Sequence, residues 1–86
     1  MHAHVINVDF TDADAAIKGL DDLIPTVKAA PGFVAGYWLR LDDSHGASFA
    51  VFDTEDQARA TLPPVGAEMD GVRITSAEVG QVMGSA

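Results

Sequence analysis

The sequence predicts an α+β domain: a four-stranded antiparallel sheet with two helices on one face, the elements following in the order β-α-β-β-α-β. Three observations predict it. Apolar residues alternate at period two in Val5–Phe10 and again in two runs between Phe33 and Phe52. Between them, Ile17, Leu20, Ile24 and Val27 recur at steps of three and four, the spacing of one face of a helix. A second helix start, Thr54-Glu55-Asp56-Gln57, follows the last of the alternating runs. The 86 residues contain no linker or low-complexity tract, so residues 1–86 form a single domain.

In the first strand, Val5 to Phe10, Ile6, Val8 and Phe10 share one face while Val5, Asn7 and Asp9 share the other. Thr11 has the position of a helix cap with Asp14 three residues on, where a carboxylate complements the positive end of the helix dipole. Pro25 lacks a backbone donor and is expected to kink the helix or restart it, and Pro31-Gly32 ends it. A hairpin follows, out from Phe33 or Val34 to Leu41, through a turn at Asp42–Gly46, and back from Ala47 to Phe52. Tyr37, Leu39 and Leu41 alternate with Gly36, Trp38 and Arg40; Phe49 and Val51 alternate with Ser48, Ala50 and Phe52. The second helix turns Ala58, Thr61, Leu62 and Val65 inward until Pro63-Pro64 weakens it. Asp70-Gly71 is a turn, and Val72 to Met83 is a last strand, bent near Gly80. Right-handed crossovers place both helices on one face, a ferredoxin-like arrangement.

Composition narrows the function classes. With no Cys there are no disulfides and no thiolate metal sites. A net charge of −8 and only five Lys and Arg argue against nucleic acid and against anionic membranes. No apolar run approaches the roughly 20 residues that span a bilayer. The N-terminus reads as a strand and not as a signal peptide, so a cytoplasmic location is expected. Yet 48% of the residues are apolar, and nothing in the chain covers the second face of the sheet. Val5, Trp38, Ala50, Phe52, Ala77 and Val79 are expected there, and such a patch marks an interaction surface. A homodimer through that face is the simplest way to bury it.

The run Ala30-Pro31-Gly32-Phe33-Val34 into Gly36-Tyr37-Trp38-Leu39-Arg40, then Phe49-Ala50-Val51-Phe52-Asp53 and an Ala-rich capped helix, resembles the dimeric α/β-barrel superfamily. Within it, the chain looks most like the small antibiotic biosynthesis monooxygenase proteins. The resemblance implies two sheets paired into a closed barrel about a two-fold axis. It also implies oxygenation of a small aromatic substrate by dioxygen with no metal, flavin or other cofactor; the alternative is a non-catalytic homodimer that binds a small ligand or is structural. Haem-degrading relatives carry a His on or near the second helix, and Thr54–Met69 has none.

By resemblance, Asn7 and Trp38 are the candidate catalytic residues, with Tyr37 beside them, and His4 and Arg40 are candidate ligand contacts. Trp38 could stack on a planar substrate or anchor the dimer. Asn7 is out of step with Ile6, Val8 and Phe10, so it should face the barrel interior; there it could hold a substrate oxygen or pair with Arg40 or Ser48. Arg40 and Asp9 could form an ion pair, and Tyr37 could direct its hydroxyl into a helix-side pocket or serve as a core ring. His2, His4 and His45 lack metal-site spacing, and His45 is read as supporting its turn with Asp42 and Asp43.

Overall fold

A computed structural model describes residues 1–86. Its elements are β1 (His2–Phe10), α1 (Ala13–Lys28), β2 (Phe33–Arg40), β3 (His45–Phe52), α2 (Glu55–Ala60), β4 (Glu68–Met69) and β5 (Val72–Gln81). They form one antiparallel sheet in the order β2-β3-β1-β5-β4. The topology is thus roughly ferredoxin-like, with five strands where four were expected. No helix is long and apolar enough to cross a membrane.

The fifth strand comes from the Asp70-Gly71 turn. Both residues have positive φ, 49° and 80°, the requirement of a tight two-residue hairpin, so Met69 pairs with Val72 and Glu68 with Arg73. The backbone of Gly71 also accepts the amides of Thr11 and Asp12 at 2.8 and 3.0 Å, tying this hairpin to the start of α1. There the cap is Asp12 and not Thr11: its carboxylate accepts the Ala15 amide at 3.1 Å. Pro25 does not restart α1: the helix runs through it to Lys28, with one backbone donor missing. Thr54 and Gln57 form the expected capping box, but α2 stops at Ala60 and Val65 is exposed.

The last strand is irregular at Thr75, not at Gly80. Asn7 pairs with Ser76 and Val8 with Ile74, so Thr75 is an extra residue and the pleat changes phase. The bulge lets Val72 and Ile74 face the helices and Ala77 and Val79 face them too, although the two pairs differ in parity.

The hairpin parity is the main correction. Trp38, Arg40, Ala50 and Phe52, expected on the open face, lie on the helix side, as do Ala77 and Val79. Phe52 is fully buried with Ala50 and Ala58, packed by Val27, Ala30, Phe33 and Val79. Tyr37, Leu39 and Phe49 instead face outward, with Tyr37 65% exposed. Both tracks of this hairpin are apolar, so alternation alone does not choose between them. The inward track sets Gly36, Gly46, Ser48 and Ala50 among its large side chains, and the rings of Trp38 and Phe10 stand where Cβ atoms on Gly36 and Gly46 would be.

Candidate functional site

Between α1 and the sheet lies a cavity of about 430 Å³, lined mostly by apolar side chains. The sheet supplies its floor in three registered rows. His4 lies level with Ala50 and Gly36, Ile6 with Ser48 and Trp38, and Val8 with Gly46 and Arg40. Successive rows are about 6.6 Å apart along the strands. From α1, Ala16, Leu20, Leu23 and Val27 form the roof, yet no residue of α1 is buried. The helix spans the space without filling it.

Two glycines seat the aromatic rings of the floor. A Cβ on Gly36 would stand 3.0 Å from Cη2 of Trp38, so the indole leans along β2 over that residue. A Cβ on Gly46 would come within 2.6 Å of Cζ of Phe10, whose ring occupies that position. The middle row, between the two rings, carries the side chains of Ser48, Ile6 and, beyond it on β5, Ala77, next to Trp38's own backbone.

His4 is buried at the α2 end of the floor, its ring 5.4 Å from that of Phe52. Its Nε2 is 3.1 Å from the Thr61 hydroxyl, which in turn donates to the Ala58 carbonyl at 3.4 Å. With the hydroxyl proton directed to Ala58, Nε2–H is the donor and Nδ1 is left as a lone pair without a partner. Burial holds the imidazole pKa below its ordinary value, so the ring is neutral at pH 7.

Arg40 stands at the other end, with its guanidinium carbon 6.0 Å from the Phe10 ring centroid. Its protein contacts are long: Asp42 carbonyl at 3.4 Å and the fully exposed Asp43 carboxylate at 3.5 Å. Asp9 is not its partner. On the opposite face, Asp9 pairs with Arg73 at 3.1 Å and lies 3.5 Å from His45. The Asp42 carboxylate accepts the Ser44 and His45 amides and the His45 ring, which holds its pKa below the ordinary carboxylate value, the Ser44 bond contributing most.

Of the five residues singled out from the sequence, the cavity brings together Trp38, His4 and Arg40. Asn7 lies on the other face, exposed, with its amide donating to Ser76 at 2.9 Å and not to Arg40 or Ser48. Tyr37 is on that face as well and enters neither the core nor the cavity. Sequence reasoning missed Phe10 and Ser48 as floor residues of the site and Asp70 at its rim. The signal was present in the small residues in step with Trp38. No three His, Asp or Glu side chains converge as a metal site.

No protein-family model matches the sequence, and no curated protein matches it either.

Proposed function

We propose that this protein is a homodimer that binds a small planar aromatic molecule in the cavity between α1 and the sheet. The observation that carries the reading is the convergence of Trp38, His4 and Arg40 on one apolar space of about 430 Å³. That volume falls in the range of roughly 300–1,000 Å³ typical of small-molecule sites, and a few polar groups in an apolar lining are their usual chemistry. A ligand would complete the burial of the α1 face that the sheet leaves half covered.

The dimer is of the α/β-barrel type, formed through the open sheet face. Tyr37, Leu39 and Phe49 are exposed there beside the half-buried Val5 and Val51. A second copy presenting the same strands would cover this patch, and interfaces of permanent dimers resemble a core cut in half.

A second reading, cofactor-free oxygenation, is favoured by the neutral imidazole of His4 in the cavity that holds Trp38. In it, His4 accepts a proton from an acidic C–H or O–H of the substrate. For an anthrone-type substrate, the resulting enolate reduces dioxygen; one oxygen atom ends in the new carbonyl and the other leaves as water.

Calorimetric titration with a panel of neutral planar aromatics tests the binding reading. Micromolar binding that is lost in Trp38→Ala, with dimer and fold retained, is expected; no binding across the panel overturns it. Oxygen uptake with anthrone in metal-free buffer, abolished in His4→Leu, distinguishes the enzyme from the binder. Sedimentation at micromolar concentration should give a dimer, and Leu39→Lys a monomer; a wild-type monomer refutes the barrel.

A further inference from the structure

We propose that the cavity is selective for an organic anion: a planar aromatic carboxylate whose acid group pairs with Arg40 and whose ring lies over Ser48, between Trp38 and Phe10. This rests on the cavity being a ligand site, and it adds the ligand's charge and orientation.

The register sets the orientation. The rows of Gly36 and Gly46 are occupied by the rings of Trp38 and Phe10, so the free stretch of floor is the middle row at Ser48. A flat ring there has an aromatic neighbour on either side along the strand direction. Its substituent on the Phe10 side then meets the guanidinium of Arg40, held over that ring.

The charges point the same way. Among the polar cavity residues, His4 is neutral, Ser48 and Thr61 are uncharged, and Asp70 sits in the turn after β4, across the sheet from β2. Asp70 follows Met69, level with Val72 and Phe10, so it shares Arg40's end of the strands but lies on the far edge of the sheet, and Arg40 is the one cation lining the cavity. Its two protein bonds, at 3.4 and 3.5 Å, are near the limit of hydrogen bonding and leave a planar fork able to take a carboxylate with two short bonds. By contrast Arg73 is already engaged at 3.1 Å, and it lies outside the cavity. In a chain of net charge −8, general attraction does not gather anions, so selectivity for one has to come from this contact.

Calorimetric titration of the wild-type protein and Arg40→Gln with 2-naphthoate and its neutral amide, 2-naphthamide, provides the test. The wild type should bind the acid roughly tenfold or more tightly than the amide, as a charge-assisted contact predicts, and Arg40→Gln should erase that preference by weakening the acid more than the amide. Circular dichroism of the variant checks that the fold is retained. Equal binding of acid and amide by the wild type, or a preference that survives Arg40→Gln, overturns the inference while the ligand site stands. Absence of binding by both compounds overturns the site itself.

Discussion

Replacing Phe52 with Ala measures whether the hairpin faces as described. The ring is fully buried, meets Phe33 edge-on at 5.9 Å, and packs beneath Ala58 of α2. Truncating such a ring removes its burial and leaves a cavity that the sheet cannot close, at a cost of about 3–5 kcal/mol. A chain of this length has about 4–13 kcal/mol in total at typical per-residue stability, so the loss ranges from about a quarter of it to all of it. Phe49→Ala is the matched control, three residues away on the same strand and 38% exposed. In a dilute monomer it should cost less than about 1.5 kcal/mol, since the removed ring was already partly in water. Urea unfolding followed by far-UV circular dichroism reads both. With a slope near 1 kcal/mol/M, the Phe52→Ala midpoint falls by about 3–5 M or the variant is unfolded from the start. The cost of Phe49→Ala should grow with protein concentration if a second copy covers that face. Similar costs for the two variants, or a larger cost for Phe49 at every concentration, would show that the two tracks of the hairpin are not arranged this way.

Two further outcomes follow from particular contacts. The folded state holds His4 below its ordinary pKa, so the unfolded chain takes up a proton that the folded chain resists. Its contribution is fully present above about pH 6.5 and is lost as the pH falls below that value. His4→Leu should therefore flatten the decline in urea midpoint between pH 8 and pH 5.5; an unchanged decline would exclude His4 as its source. Asp42 acts in the same direction, but only at the lower pH where its carboxyl takes up a proton. Gly71→Ala places a side chain at φ 80° and drives its Cβ into the Asp12 carbonyl at the start of α1. A cost of about 2 kcal/mol or more is expected, lowering the melting temperature by roughly 8 °C or more. Gly80→Ala, with nothing within 4 Å of the added Cβ, should melt close to wild type.

Much of the fold was legible because local chemistry left little choice. Ile6, Val8 and Phe10 face the helices as their alternation requires, and the Thr54–Gln57 capping box starts α2 where two reciprocal bonds can form. The site was legible in part. Trp38, Arg40 and His4 were recognised by residue type, yet Trp38 and Arg40 were placed on the wrong side of the sheet. Asn7 was placed correctly on the open face, and Ser76 on β5 is the partner that occupies its amide.

The sequence by itself determined the order of the four long strands and two helices, though not the short β4, together with the turn at Asp70-Gly71 and the acidic, cysteine-free character of the chain. Those properties depend on neighbours a few residues apart, whose periodicity and capping bonds form locally. Only the tertiary structure decided which track of the hairpin is inside, that Thr75 resets the pleat of β5, and that α1 stands over an open space with His4 at one end and Arg40 at the other. Each of these depends on residues far apart in the chain competing for the same volume. In a strand with two apolar faces, alternation records no preference until the helices above it are in place.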